Sequence, residues 1–124
     1  MAWNLDNSRS IYLQLMDEIR RRIISGEYPP GSRMASVREL ADEAGVNPNT
    51  MQKALSEMER QNLVFSRRTS GRFVTDDTER IREMRKEQAM EAARQFVAQM
   101  EAYGFSGDEI IELLALVKGG EQDG

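Results

Sequence analysis

The sequence has no cysteine and no histidine among its 124 residues. The chain therefore has no disulfide, no thiol nucleophile and no imidazole base, and it lacks the usual ligands of zinc. Aromatic residues make up only 6% of it, and no apolar run approaches the length of about 18 residues that a membrane span needs. Residues 1–10 also lack the apolar core of a signal peptide. We expect a cytoplasmic protein that is not an enzyme, has no membrane partner and needs no cofactor or metal.

The net charge of −4 is divided unevenly along the chain. Residues 1–74 contain 11 Lys and Arg against 9 Asp and Glu, whereas residues 75–124 contain 6 against 12. The first part thus carries a charge of +2 and the second a charge of −6. An acidic total argues against indiscriminate binding to polyanions, yet a basic face in the first part can still contact phosphates.

Two short amphipathic helices are predicted near the start of the chain. Apolar residues recur at helical spacing after Ser10, which can cap a first helix that ends at Gly26. Ser36 and Glu39 have the spacing of a capping box for a second helix, which ends at Gly45.

A third helix is predicted to begin after Asn47, a favourable N-cap, with Pro48 at its first position, and to run to about Gln61. If its apolar side is buried, the side chains that face away are polar, and they are Asn49, Lys53, Ser56 and Arg60, with Gln52 at the margin. Amide side chains pair with adenine edges, and lysine reaches guanine or phosphate. We expect only the first half of this helix to approach DNA, because Glu57 and Glu59 would repel a phosphate backbone.

Two short strands are predicted next, over residues 63–65 and 71–74, with a polar, basic tip at residues 66–70. Three helices followed by a two-stranded hairpin are typical of a winged helix-turn-helix, in which the third helix enters the major groove and the hairpin flanks it. We therefore expect a mainly α fold with this domain over residues 1–75.

Residues 76–124 are predicted to form a helical tail. Its first helix ends at Gly104, and its second begins with a capping box at Ser106 and Glu109 and ends at the pair Gly119-Gly120. A two-helix hairpin cannot bury all the apolar side chains of this tail, and a two-fold partner would supply the missing surface. We expect a homodimer formed through Phe96, Met100, Tyr103, Leu113, Leu114 and Val117.

Several motifs occur together in one register between about residues 8 and 75. They are Ile11-Tyr12-Leu13-Gln14, Ile23-Ile24-Ser25-Gly26, Ser36-Val37-Arg38-Glu39-Leu40-Ala41, Gly45-Val46-Asn47-Pro48-Asn49-Thr50 and Gly71-Arg72-Phe73-Val74. In this order they resemble the DNA-binding domain of the GntR family of bacterial transcription regulators, and the short tail resembles the small YtrA-like branch. The resemblance implies a repressor that binds a pseudo-palindromic operator in double-stranded DNA as a homodimer.

The resemblance also implies which residues contact DNA. It assigns this role to Arg38 on the second helix, to Asn47, Asn49, Thr50 and Gln52 around the start of the third helix, and to Arg68 and Thr69 at the wing tip. Lys53 joins this group because it lies on the exposed face of the third helix. Together these residues form the predicted DNA site.

The sequence departs from the family pattern at three places. Met34-Ala35 stands where Leu-Pro is usual, Ser10 where a proline is usual, and Thr69 where the wing has its first glycine. If the absent side chain of that glycine is what admits the wing to the minor groove, Thr69 weakens or redirects this contact.

Simpler explanations compete at individual positions. Arg38 can form an ion pair with Asp42 one helical turn later, which would contribute only about 0.3 to 0.5 kcal/mol. The run Arg20–Arg22 is interpreted as a solvated helix face, and Asp76-Asp77 as a helix cap rather than a metal site.

Two other function classes remain open at this stage. An enzyme would have to use Asp108, Glu109 and Glu112, which have no histidine or cysteine to work with. A winged-helix scaffold for protein contacts is the second alternative, and a salt titration of DNA binding separates it from a DNA-binding protein. The sequence leaves the existence of a small-molecule effector open.

Overall fold

A computed structural model of the chain describes residues 3–123, with the side chains of residues 3–120. It divides into two compact units, Met1–Arg85 and Lys86–Gly124. In the described part, the chain forms helices and one two-stranded antiparallel sheet. The first unit extends beyond residue 75, where the sequence analysis places the end of the winged domain.

Three helices of the first unit begin and end close to their predicted limits. α1 spans Ile11–Ser25, α2 spans Val37–Ala44 and α3 spans Pro48–Arg60. The first two end at Gly26 and Gly45, whose φ angles of 86° and 76° are left-handed and suit glycine.

Side-chain oxygens cap the start of α1 and α2 as predicted. Ser10 Oγ accepts a hydrogen bond from the amide of Leu13 at 3.3 Å. At α2 the Glu39 amide donates to Ser36 Oγ at 3.1 Å, and the Ser36 amide donates to the Glu39 carboxylate at 3.0 Å. The hydrogen bonds from Ser36 lower the pKa of Glu39. Each such cap contributes about 1 kcal/mol to helix stability.

The core of the first unit forms where α3 packs against α1, α2 and the hairpin. Its largest fully buried side chains are Leu15, Ile19, Ile23, Met51, Leu55, Met58, Leu63, Val64 and Val74. Burying one such side chain stabilises the fold by about 1.5 to 3 kcal/mol. Because Met51, Leu55 and Met58 fix the inner side of α3, the opposite side of this helix faces solvent.

The wing is an antiparallel hairpin of β1, Val64–Arg67, and β2, Gly71–Val74. Val64 lies opposite Val74 and Arg67 opposite Gly71, so the turn contracts to residues 68–70. The predicted tip at residues 66–70 is therefore too long. The hydrogen bonds between two strands join backbone groups. A strand can therefore include polar residues whose side chains do not predict a strand.

An N-terminal segment covers part of α1. Trp3 is buried and its indole N–H donates to the Glu43 carboxylate at 3.2 Å. The guanidinium of Arg22 lies 4.3 Å from the centroid of the Trp3 ring and 5.7 Å from that of Tyr28. The expectation of a solvated face over Arg20–Arg22 is therefore wrong for Arg22, which this segment covers. It is also wrong for Arg20, whose side chain is only 13% exposed, and it holds for Arg21.

The next helix, α4, spans Thr78–Ala102. The Asp77 carboxylate accepts a hydrogen bond from the amide of Arg80 at 3.1 Å, which confirms the predicted helix cap. Ile81 and Met84 pack onto the core of the first unit. The first turns of α4 thus contribute to the first unit, which contains the wing and is called the winged unit below, although the predicted domain boundary assigns them to the tail.

The last helix, α5, spans Gly107–Asp123. Its capping box is present, with the Ser106 amide donating to the Glu109 carboxylate at 2.8 Å. The predicted end at Gly119-Gly120 is wrong, since the helix continues through both glycines. Neither has a positive φ angle, so each only weakens the helix, by about 1 kcal/mol relative to alanine, without ending it.

The second unit leaves much apolar surface uncovered. Ile110 is buried, whereas Tyr103, Leu114 and Val117 are exposed, with fractional exposures of 67%, 47% and 61%. The other three residues predicted at the dimer interface, Phe96, Met100 and Leu113, are partly buried. Among the described residues, no helix is both long enough and apolar enough to cross a bilayer.

Candidate nucleic-acid interface

The start of α3 presents polar groups to solvent. Asn47 is the N-cap, and its Oδ1 accepts a hydrogen bond from the Asn49 amide at 2.7 Å. The side-chain amide nitrogen of Asn47 makes no hydrogen bond that the described structure shows. Asn49 is exposed, and Thr50, one position further, is partly buried. This end of the helix can therefore offer both hydrogen-bond donors and acceptors to a base edge or a phosphate.

The next turn of α3 carries the other two predicted contact residues. Gln52 and Lys53 are exposed, as is Ser56. The amide nitrogen of Gln52 donates to Ser56 Oγ at 3.0 Å, so Gln52 must exchange this hydrogen bond before it can pair with a base. Lys53 forms no ion pair with any carboxylate in the described part of the chain, and its charge is free for a phosphate. With Tyr12 of α1, these side chains line a shallow groove.

The two glutamates of α3 are not free charges. Glu57 binds Arg60, and the resulting hydrogen bonds lower the pKa of Glu57 to about 2. Glu59 accepts a hydrogen bond from Ser66 Oγ and another from Arg72 Nε at 2.9 Å. Each carboxylate is offset by a neighbouring arginine, so the repulsion expected from the sequence is weakened. The hydrogen bonds to Glu59 also join α3, the helix predicted to recognise DNA, to both strands of the wing.

Arg38 lies exposed on α2. The ion pair with Asp42 that would explain it as a structural residue is absent from the described structure. Its guanidinium has five donors and no internal acceptor within this part of the chain. Arg38 is therefore available for an anionic ligand.

The wing tip places Arg68 and Thr69 in its exposed turn. Thr69 has a negative φ angle, so its backbone conformation does not require the glycine that is usual there. The residue near the tip that does have a left-handed φ, at 103°, is Gly71, the first residue of β2. Replacing the usual glycine by Thr69 thus adds a side chain without straining the hairpin.

An aromatic pair stiffens the base of the wing. The rings of Phe65 and Phe73 stack across the two strands with centroids 6.0 Å apart. The guanidinium of Arg67 lies over both rings, 5.5 Å and 5.2 Å from their centroids. A cation held against aromatic faces keeps its charge while losing freedom of movement.

The cations of the first unit fall into two groups. The first group is paired with carboxylates. It contains the α1 arginines Arg20, Arg21 and Arg22, and also Arg60 and Arg72. A second group makes no ion pair within residues 3–120, and its members on α2, α3, the wing and the preceding loop are Arg33, Arg38, Lys53, Arg67 and Arg68. Arg9, Arg80 and Arg85 of the first unit also make no ion pair within the described residues. The unpaired charge thus includes the elements that carry the predicted DNA site but is not confined to them.

Six of the eight residues of the predicted DNA site are spread over three grooves, and Arg38 and Asn49 line none of the three. Arg68 and Thr69 line a groove with the residues that begin α2. Asn47 and Thr50 line a second groove, and Gln52 and Lys53 line the third. An extended surface of this kind suits a long polyanion better than a small molecule.

The sequence analysis missed Arg33 and Glu59. Arg33 lies in the loop before α2 and forms an antiparallel bridge with Phe73. Glu59 was interpreted only as a source of repulsion. Both depend on contacts with the wing that are distant in sequence, and no local pattern indicates them.

Comparison with known proteins identifies the family of the chain. Residues 11–74 match the family described as bacterial regulatory proteins, gntR family. The chain belongs to the GntR family. This confirms the resemblance on which the DNA site was predicted. The family consists of transcriptional regulators with a DNA-binding helix-turn-helix domain, and the chain is a regulator of this kind rather than an enzyme.

Two relatives from Bacillus subtilis match this GntR protein over most of their length. It is 40% identical over 106 residues to the uncharacterized HTH-type transcriptional regulator YhcF, and this alignment covers 86% of this chain and 88% of YhcF. It is 29% identical over 122 residues to the HTH-type transcriptional repressor YtrA, and this alignment covers 94% of each chain.

Solved structures agree with the winged helix-turn-helix fold. A GntR family transcriptional regulator from Listeria monocytogenes matches with a TM-score of 0.85 at 32% identity, over 90% of this chain and 97% of that one. The DNA-binding domain of AraR in complex with operator ORX1 matches with a TM-score of 0.51 at 28% identity, over 60% of this chain and 92% of that one.

Proposed function

We propose that the chain is a transcriptional repressor that binds a pseudo-palindromic operator as a homodimer in the bacterial cytoplasm. The observation that carries this proposal is the exposed polar face of α3, together with cations on α2, α3 and the wing that make no ion pair within the described residues. The start of α3 offers amide and hydroxyl groups, and Lys53, Arg38 and Arg68 add charge that no carboxylate of the described chain offsets. The solved AraR complex supports operator binding as the family's mode of action, and the name of YtrA supports repression.

The homodimer rests on the second unit. The apolar side chains exposed there, Tyr103, Leu114 and Val117 among them, would be costly for an isolated chain in water. A second copy of α4 and α5 brings an identical apolar surface and buries both. Two-fold symmetry then presents two recognition helices, which is why we expect an operator of two inverted half-sites about one helical turn apart.

The test begins with selection of duplexes from a random library by the full chain. We expect enrichment of an inverted repeat and binding that weakens steeply with salt, since each phosphate contact releases counterions. A scrambled duplex of equal length is the control. Failure to enrich any sequence, or binding that ignores salt, would favour a scaffold for protein contacts instead.

A further inference from the structure

A basic groove lies between the loop that precedes α2 and the wing. It has a volume of about 730 Å³, and its walls include the four arginines Arg33, Arg67, Arg68 and Arg72. The one carboxylate that lines it is Glu39, which accepts a hydrogen bond from the Ser36 amide and whose pKa is lowered by the hydrogen bonds with Ser36 and, to a smaller extent, by the charge of Arg33. The groove is therefore a local excess of positive charge in a chain that is acidic as a whole.

Backbone pairing fixes the position of Arg33 in this groove. The Met34 amide donates to the carbonyl of Arg72 at 2.8 Å, and the Val74 amide donates to the carbonyl of Ser32 at 2.9 Å. The loop thus adds a short third edge to the wing. Met34 is buried beside it and anchors the loop.

Gly71 leaves room for the Arg33 side chain. A Cβ atom on Gly71 would lie 3.2 Å from Arg33 Nε and 3.5 Å from Nη2. The guanidinium therefore lies against the start of β2, next to the turn of the wing, and a side chain at position 71 would have to displace it slightly.

Arg33 differs from its neighbours in the groove by the donors it has free. Arg72 donates through Nε to Glu59, and Arg67 lies against the two aromatic rings. Arg33 is exposed and makes no ion pair within the described part of the chain. Its planar set of donors fits two oxygens of one phosphate.

We propose that this groove binds the phosphodiester backbone of DNA and that Arg33, together with Arg68, supplies the charge that holds a phosphate there. This inference rests on the proposed function and adds a contact that lies outside the recognition helix. A phosphate held between the loop and the wing would set the angle at which the wing meets the duplex. It carries no sequence information of its own.

The test compares Arg33→Ala and Arg33→Lys with the wild-type full chain. The probes are a duplex enriched from a random library by the wild-type protein and a scrambled duplex of equal length, each titrated at several KCl concentrations. We expect Arg33→Ala to weaken binding to both duplexes about tenfold and to reduce the salt slope by about one for each subunit bound. Arg33→Lys keeps the charge and restores the slope.

Arg21→Ala is the matched control, because Arg21 on α1 is also exposed but is paired with Glu18 and Glu27. It should leave affinity and slope unchanged. Thermal melting of each variant checks that the fold is retained.

Four results would overturn the inference. Unchanged affinity and slope in Arg33→Ala, with normal wild-type binding, would remove this contact and leave the proposed function intact. Loss confined to the enriched duplex would make Arg33 a reader of bases rather than of phosphate. Arg33-dependent binding of a polyglutamate peptide, without such dependence for DNA, would assign the groove to a protein partner. Wild-type protein that enriches no duplex from the library would overturn the proposed function together with this inference.

Discussion

Single exposed side chains of this protein differ in what they contribute to folding and to binding. Arg38 has no ion pair in the described structure, so its removal costs the fold little, about 0.5 kcal/mol or less. We expect Arg38→Ala to abolish operator binding while the melting temperature stays nearly constant. Fluorescence anisotropy with the enriched duplex and a thermal melt measure the two effects. A variant that melts several degrees lower and binds normally would make Arg38 a structural residue.

Gln52 and Lys53 are neighbours that should fail in different ways. The Gln52 amide can match the donor and acceptor of an adenine, whereas Lys53 offers a point charge to any phosphate. We expect Gln52→Ala to relax preference at one operator position by about 1 to 3 kcal/mol and to keep the salt slope. Lys53→Ala should weaken all sequences together and reduce the slope by about one for each subunit.

A panel of single-base operator variants, measured at several salt concentrations, separates the two effects. Ser56→Ala is the control for Gln52, because it frees the Gln52 amide without removing it. If Gln52→Ala binds the whole panel with unchanged ranking, specificity comes from Asn47, Asn49 or Thr50 instead.

Glu18 makes folding stability depend on acid. Hydrogen bonds from Arg21 first, and also from Arg22, lower its pKa from 4.5 to about 2 against the opposing effect of burial. Since the folded-state pKa is the lower one, this stabilisation is complete above about pH 4.5 and is lost as the pH falls toward 2. We expect Glu18→Gln to show a flatter loss of stability over that range in urea titrations. Glu83→Gln, an exposed glutamate on α4, should follow the wild-type curve.

One carboxylate of α3 forms hydrogen bonds with both strands of the wing. Glu59 accepts hydrogen bonds from Ser66 and Arg72, and the Arg72 side chain is only 16% exposed. We expect Glu59→Ala to destabilise the fold by about 1 to 3 kcal/mol, because it leaves a largely buried guanidinium without its partner. Urea denaturation measures this loss.

The pair of Glu79 and Arg82 supplies the control for that experiment. Both side chains are highly exposed, so Glu79→Ala should change stability by less than about 0.5 kcal/mol. Equal effects of the two substitutions would mean that the contact from Glu59 to the wing is an ordinary surface ion pair.

The sequence predicts those elements whose limits depend on neighbouring residues. Caps such as Ser10 and Asn47, and helix ends such as Gly26, act within one turn, and the structure has them where the pattern indicates. The predicted end of α5 is wrong because a glycine such as Gly119 ends a helix only where the backbone turns into the left-handed conformation, and the backbone does not turn there. The roles of Arg33 and Glu59 depend on partners in the wing, so no local pattern could have shown them.

At the scale of the whole molecule, α4 connects the two units. Its first turns carry Ile81 and Met84, which pack on the core of the winged unit. We therefore expect a chain of residues 1–85 to stay folded, whereas a chain of residues 1–77 should be less stable by about 2 to 5 kcal/mol, because it loses the buried methionine. Thermal melting of the two truncated chains measures the difference, and equal melting temperatures would contradict it.

The same truncation tests the dimer. We expect the full chain to sediment as a dimer at about 10 µM, well above a moderate dissociation constant, and residues 1–85 to sediment as a monomer. Analytical ultracentrifugation decides between these outcomes. A full-length monomer would remove the symmetry argument for an inverted repeat, and a dimeric fragment would move the interface into the winged unit.

The pairing of the α1 arginines with carboxylates affects how such a regulator searches a chromosome. An operator competes with on the order of 10⁶ to 10⁹ other positions, and attraction to those positions grows with the number of free cations. Since Arg20, Arg21 and Arg22 are paired with carboxylates within the chain, we expect its residence on arbitrary DNA to be short. A small number of copies can then scan the genome quickly, and occupancy of the operator depends on the few side chains that remain free to recognise it.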